Sequence, residues 1–182
     1  RVILNYLTHL SGIATLTKKF VQALGESRTQ LLDTRKTLPG MRYPEKYAVR
    51  VGGGRNHRLS LGDMLMLKDN HIDQAGSITA AVKKLRATYQ PCPPIEVECR
   101  TQRHVQEAVD AQADRIMLDN MDTEEIIESL KRIPQDIESE ISGGVNLENI
   151  AVLGTLGADY ISVGCLTNSA PVLDLSMKLR SQ

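Results

Sequence analysis

The chain is 182 residues long, 41% hydrophobic and 24% charged, with 22 basic residues against 22 acidic ones. That neutral balance, with a single Phe and no Trp, excludes a nucleic-acid binder built on a broad basic face or on aromatic stacking platforms. No apolar run approaches the roughly 18 residues of a membrane span, and three cysteines without a C-x-x-C pair point to a reducing, cytoplasmic setting.

In chain order, Ile3, Leu7, Leu10, Ala14, Val21 and Leu24 recur at helical spacing. They predict an amphipathic helix over residues 2–24, ended by Gly25. Beyond it, short apolar runs alternate with helical patterns. Strands are expected at 30–34, 64–68, 95–99, 115–119, 137–141 and 160–164, and helices at 40–52, 75–89, 101–112, 122–132, 146–156 and 169–180. A repeated strand–loop–helix order with buried strands means an α/β fold with a parallel sheet and right-handed crossovers. Six such units fit an open doubly wound sheet or an incomplete TIM-like (β/α) barrel preceded by a helix. The barrel is favoured because Arg35 and Lys36, Lys68, Glu98, Asp119, Ser142 and Gly164 all fall at C-terminal strand ends, which a barrel gathers around one mouth. No linker or repeat interrupts the pattern, so residues 1–182 read as one domain. An opening Arg1 in place of an initiator Met reads as a fragment or a processed chain.

Between Arg35 and Arg58 stand seven Lys or Arg residues and one acid, Glu45, interspersed with glycines. Arg forks grip carboxylate or phosphate, and glycines let backbone N–H groups come close, so this stretch suits a compact, multiply charged anion. Arg35, Lys36, Arg58 and Lys68 form the candidate cage. Lys68 belongs to it because it caps the apolar run 64–67. His57 either donates to the anion or orders its loop. His71 is read as a loop-ordering residue, and His9 and His104 as surface residues. Glu96 and Glu98 share one face of a buried strand, where acids have to be paired, hydrated or metal-linked. Glu98 and Asp119 come from successive strands and face the same mouth. Their partners are magnesium, sugar hydroxyls, or Lys68 or Arg35 in an internal salt bridge. The turns Ser142-Gly143-Gly144 and Val163-Gly164-Cys165 follow strands and open helices, an arrangement that suits phosphate. The thiols are read as packing residues. Nucleophile elbow, zinc spacing, Walker loop and dinucleotide fingerprint are all missing.

In order along nearly the whole chain, Asn5-Tyr6-Leu7, the stretch 33–40, Gly52-Gly53-Gly54, Asn56-His57-Arg58, Lys68-Asp69-Asn70-His71, Glu96-Val97-Glu98, Met117-Leu118-Asp119-Asn120, Ser142-Gly143-Gly144 and Leu166-Thr167 resemble the quinolinate phosphoribosyltransferase family. The resemblance implies an incomplete β/α barrel that in the family follows an N-terminal α/β domain, absent from this chain, and a homodimer. It implies phosphoribosyl transfer from phosphoribosyl pyrophosphate to quinolinate with decarboxylation, dependent on Mg2+ and needing no organic cofactor. By the same resemblance Arg35, His57, Arg58 and Lys68 meet the pyridine dicarboxylate, Thr34 and Lys36 bind substrate from the same loop, and Arg1 reaches the partner subunit's site. Glu98 and Asp119 stand near ribose and metal. Ser142, Gly143, Gly144, Val163, Gly164 and Cys165 correspond to the phosphate loops. Lys36, Lys68, Glu98 and Asp119 are the implied catalytic set. Asn168 stands where many members carry His, and Cys165 replaces a usual small residue. The alternative is a barrel fragment that binds anions and dimerises without turnover. A phosphate-sugar isomerase or aldolase on a similar barrel gives no reason for four cations around one ligand.

Overall fold

A 23-residue helix opens the computed structural model, which describes residues 1–178. The elements are α1 (Val2–Leu24), β1 (Gln30–Leu32), α2 (Arg42–Val51), β2 (Leu65–Leu67), α3 (Asp69–Ala75), α4 (Ile78–Thr88), β3 (Ile95–Cys99), α5 (Gln102–Asp110), β4 (Arg115–Asp119), α6 (Thr123–Arg132), β5 (Glu138–Ser142), α7 (Ile150–Gly154), β6 (Tyr160–Ser162) and α8 (Cys165–Asn168). Local chemistry sets several boundaries. Gly25, at φ 58°, ends α1. The Ser77 hydroxyl accepts the Ala80 N–H to start α4. Asp122 and Glu125 accept each other's backbone N–H groups in a capping box that starts α6.

All six strands are parallel, in the order β1-β6-β5-β4-β3-β2. The chain neighbours β1 and β2 therefore lie at opposite edges. The backbone at Arg55 lies against the free side of β1, bridging to Leu32, with the Arg55 N–H donating to the Leu31 carbonyl at 2.8 Å. Side chains that follow both edge strands line one cleft with those of the central strands, so the sheet curls into an incomplete barrel open between β1 and β2. An open doubly wound sheet is excluded.

Strand parity divides the molecule. Leu31, Leu67, Ile95, Val97, Cys99, Ile116, Leu118, Ile141 and Ile161 belong to the buried apolar cluster between sheet and helices. The alternating positions turn the other way and are polar or soft: Met66, Glu96, Glu98, Arg115, Met117, Asp119, Glu140, Ser142 and Ser162. A β/α barrel ordinarily fills its interior with branched apolar residues; here that interior is ionic.

The expected pattern is corrected in four places. The helix expected at 169–180 does not form over 169–178. Pro171 has no N–H to donate and disfavours a helical residue before it, so α8 stops at Asn168, and 179–180 lie outside the described residues. The non-helical segment instead crosses α1, where the Leu173 N–H donates to the Thr8 carbonyl at 3.1 Å. The Pro171 backbone sits where a Cβ on Gly12 would be, so only glycine fits there. Helix α3 was not expected. On α1 the buried stripe is Ile13, Thr17, Phe20 and Leu24, whereas Ile3 and Leu7 of the expected apolar face are exposed. His9 is not a free surface residue: its Nε2 lies 2.8 Å from the buried carboxylate of Glu45. No helix among the described residues is long and apolar enough to cross a membrane.

Candidate active site

Asp33, at the end of β1, is fully buried and ties two loops together. Its carboxylate accepts from Lys46 Nζ at 2.5 Å, Asn56 Nδ2 at 2.6 Å and the His57 N–H at 2.8 Å. Lys46, equally buried, also donates to the His57 carbonyl at 2.9 Å. Burial raises the Asp33 carboxyl above its ordinary value and lowers the Lys46 ammonium below its own, while their mutual contact opposes both shifts. This clamp holds the 34–36 loop beside the 55–58 loop. Glu45, the single acid in the basic stretch, is also buried and accepts the Leu38 N–H at 3.3 Å. The cations are thus left without a neutralising neighbour in their own loop.

A cleft of about 270 Å3 opens above the barrel interior. Thr34, Arg35, Lys36, His57, Arg58, Lys68, Glu98, Asp119, Glu140 and Ser142 line it, together with Met66, Met117 and Ser162. Arg58 anchors its guanidinium on the Met64 carbonyl at 2.8 Å. Burial, then the nearby Arg35 guanidinium, lowers the Arg58 pKa. The buried Nε of Arg35 has no protein partner. The Lys36 carbonyl accepts from the Thr167 hydroxyl at 2.8 Å, and its side chain lies against Gly164.

The acids are paired. Lys68 donates to Glu98, and Arg100 bridges Glu98 at 3.0 Å, Asp119 at 3.4 Å and Asp69 at 3.0 Å. The expected internal salt bridge therefore forms, and it forms with Lys68. Arg100 was missed in the sequence, although it follows β3 directly, at the kind of strand end that singled out the other site residues. Glu98 and Asp119 converge on Arg100, which neutralises them as Arg115 neutralises Glu140; a divalent cation reached through water would have to share or displace that guanidinium.

His57 is hydrogen-bonded at Nδ1, while its buried Nε2 stands at ion-pair distance from two carboxylates without a hydrogen bond to either. Its Nδ1 accepts the Arg58 N–H at 2.7 Å. Its Nε2 lies 3.0 Å from Glu96 and 3.4 Å from Glu140. Burial lowers the imidazole pKa, but the contacts to Glu140 and Glu96 outweigh it and raise the net value from 6.5 to about 9. The Arg58 N–H aimed at Nδ1 holds that nitrogen as an acceptor and so opposes the upward push of the two carboxylates. Burial and the charge of Glu140 raise Glu96. Burial pushes Glu140 up as well, but His57, Ser162 and Arg115 together hold it below the ordinary value. These three residues have the composition of a metal site, yet Arg115, 3.3 Å from Glu140, already supplies the counter-charge. His71 orders its loop by accepting the Lys68 N–H at 3.0 Å.

The glycine turns divide. Ser142 reaches the cleft, accepting from the Ser162 hydroxyl at 3.0 Å. Gly143 and Gly144 line an adjoining cavity with Asn120 and Asn149; at φ 89°, Gly143 packs so closely on Asn120 that a Cβ would collide with it. Val163 is buried, its N–H donating to the Leu32 carbonyl at 3.0 Å. Gly164 and Cys165 open the short helix α8 beside Lys36. Arg1 is exposed at the start of α1 and does not line the cleft. A larger cavity of about 780 Å3 lies at the other ends of the strands. Its acid, Asp159, is committed to Ser139 at 2.7 Å, and Arg28 is its lone basic residue.

Residues 13–178 match the family model described as "Quinolinate phosphoribosyl transferase, C-terminal domain". The chain is 47% identical over 177 residues to the "Probable nicotinate-nucleotide pyrophosphorylase [carboxylating]" of Bacillus subtilis, a match that covers 97% of this chain and 61% of that protein. It is 48% identical over 182 residues to the protein of the same description from Synechocystis, covering 98% of this chain and 62% of that one. The crystal structure of NadC from Streptococcus pyogenes superposes with a TM-score of 0.94 at 48% identity, over 98% of this chain and 62% of that one. The chain thus spans about three-fifths of the length of the curated relatives it matches.

Proposed function

This chain belongs to the quinolinate phosphoribosyltransferase family, and on that premise we propose that residues 1–182 are the catalytic barrel domain of an enzyme that joins quinolinate to phosphoribosyl pyrophosphate. The products are nicotinate mononucleotide, carbon dioxide and pyrophosphate, which places the enzyme in NAD biosynthesis. One observation carries the reading: Arg35, Lys36, Arg58 and Lys68, from three separate loops, meet in one cleft opposite Glu98 and Asp119.

Arg35 and Arg58 grip the two ring carboxylates, because a guanidinium fork matches a carboxylate in two parallel hydrogen bonds. Lys68, held by Glu98, adds a point charge beside them, and Thr34 and His57 shape the pocket wall. Fixing the ring in this way places its nitrogen toward the sugar, so positioning supplies much of the rate. The ring nitrogen's lone pair forms the bond to the anomeric carbon as the bond from that carbon to pyrophosphate breaks. Lys36, against Gly164, stabilises the departing charge. Glu98 and Asp119 hold the ribose hydroxyls and would hold a magnesium ion, which would neutralise charge on the pyrophosphate. Ser142 and the neighbouring glycine turns receive the 5′-phosphate. The carboxylate next to the ring nitrogen then leaves as carbon dioxide. Its electron pair stays on the ring carbon beside the cationic nitrogen and takes up a proton from solvent, so no organic cofactor is required.

The enzyme works as a homodimer in this reading, with Arg1 reaching the partner's cleft. Support comes from an exposed apolar stripe on neighbouring helices, with Ile3 at 75% and Tyr43 at 74% exposure, of the kind that marks an interaction surface. The test is direct. The purified protein, given quinolinate, phosphoribosyl pyrophosphate and magnesium, releases carbon dioxide and pyrophosphate in equal amounts. Absence of release, together with absence of quinolinate binding in a titration, overturns the proposal.

A further inference from the structure

Beneath the cleft lies an ionic ladder that the chemistry above leaves unused. Glu96 on β3 and Glu140 on β5 are both fully buried and close on a single atom, the Nε2 of His57. Between them on β4, Arg115 binds Glu140 at 3.3 Å and Glu138 at 2.6 Å. Its guanidinium also stacks on Tyr160, 4.2 Å from the ring centroid. Removing such groups from water costs several kcal/mol per ion, and well-packed apolar residues often replace buried ion pairs at no loss of stability. The ladder therefore calls for a reason other than stability, and its geometry supplies one. The carboxylates flank the ring at Nε2 by charge and distance, at 3.0 and 3.4 Å, without a hydrogen bond. The opposite ring atom, Nδ1, takes the N–H of Arg58. The guanidinium of Arg58 stands in the cleft and is fixed at its far end by the Met64 carbonyl. Order thus passes from two buried acids, through one imidazole, to the backbone of a cleft cation.

We propose that Glu96 and Glu140 are positioning residues: by holding the His57 ring they fix the Arg58 backbone, and so the direction in which the Arg58 fork meets a substrate carboxylate. In this role both acids act through His57, although Glu140 also borders the cleft floor. Because a bidentate fork tolerates little rotation, loss of this support weakens the carboxylate contact while leaving the phosphoribosyl side alone. The inference rests on reading the cleft as a pyridine dicarboxylate site.

A double-mutant cycle tests it. Glu140→Gln keeps the shape and removes the charge. It is expected to weaken quinolinate binding, measured by calorimetry on the purified protein, by about tenfold, the equivalent of about 1.4 kcal/mol. The KM for phosphoribosyl pyrophosphate should stay within about twofold. In an Arg58→Lys background, which has no fork to aim, the same substitution should change quinolinate binding by less than about twofold. Equal weakening in both backgrounds, or equal weakening of both substrates, overturns the inference. Glu96→Gln runs through the same cycle, so a fold too unstable in one variant leaves the other to decide. A crystal structure of either variant with the His57–Arg58 contact unchanged also overturns it. Wild-type protein that binds no quinolinate would instead refute the proposed function.

Discussion

The two faces of the same strands do different work. On β3, Ile95, Val97 and Cys99 face the helices while Glu96 and Glu98 face the barrel interior; on β4, Ile116 and Leu118 oppose Arg115, Met117 and Asp119. All of these but Asp119 are buried, so exposure cannot tell the faces apart. Chemistry can: one face removes apolar surface from water, and the other spends burial on charges that have to be paired. Stability and function are thereby separated by a single step along the chain, and substitutions one residue apart should have unlike consequences.

The largest effect is expected on the helix-facing side. Ile116→Ala removes a fully buried side chain and should cost about 2–5 kcal/mol of stability, read from denaturant midpoints, with quinolinate affinity of the folded fraction unchanged. Next comes a crossed pair on the interior side. Asp119→Asn should lower magnesium-dependent turnover by about a hundredfold, in the range of losing a charge-stabilising group, and spare quinolinate binding. Arg58→Ala should weaken quinolinate by at least about thirtyfold, as losing one partner of a charge-assisted pair does, and leave the KM for phosphoribosyl pyrophosphate nearly unchanged. Neither should shift the unfolding midpoint as Ile116→Ala does. Asp119→Asn with intact turnover would take Asp119 out of the mechanism.

A smaller effect depends on pH. Cys99 ends β3 on the apolar face, and burial pushes its thiol up to about 12 from 9.0. The folded pKa lies above the unfolded one, so the stabilising contribution is complete below pH 9 and is lost as pH rises toward 12. Stability relative to Cys99→Ala should therefore fall above pH 9, by on the order of 1 kcal/mol per pH unit. At pH 8 the same thiol should resist alkylation until the chain unfolds, while the half-buried Cys92 and Cys165 react sooner. Rapid labelling of Cys99 in the native protein would contradict its place in the core.

Much of this division was legible beforehand, because period-2 alternation and strand-end chemistry are local signals. Spacing alone places Glu96 and Glu98 on one face, and the cations at 35, 36, 58 and 68 share one cleft. Contacts that depend on long-range closure were not legible. Arg100 sits beside Asp119 only because β3 and β4 pair in register, and Glu140 meets His57 only because the 55–58 loop crosses the open seam. Nor could spacing on α1 separate the residues that pack on α2 from Ile3 and Leu7, which stay exposed; helical periodicity marks an apolar face without saying what covers it.

The last prediction concerns a contact that joins the two ends of the sequence. Thr167 is buried, and its hydroxyl donates to the Lys36 carbonyl at 2.8 Å, 131 residues away in the chain. Lys36 itself lies over Gly164, in the turn that opens α8. Thr167→Val keeps the shape and removes the donor; because the bond is only part-buried, its loss costs about 0.5–1.5 kcal/mol. Part of that cost falls on global stability. The rest should appear as freedom in the loop that carries Lys36, and hence as a severalfold lower kcat with quinolinate affinity less affected, since Arg58 stands on the separate 55–58 loop and is anchored on the Met64 carbonyl. Thr167→Ser, which restores the hydroxyl, should restore kcat. If Ser and Val behave alike, the side chain matters for its volume only, and the coupling between the β1 loop and the last turn of the barrel is one of packing.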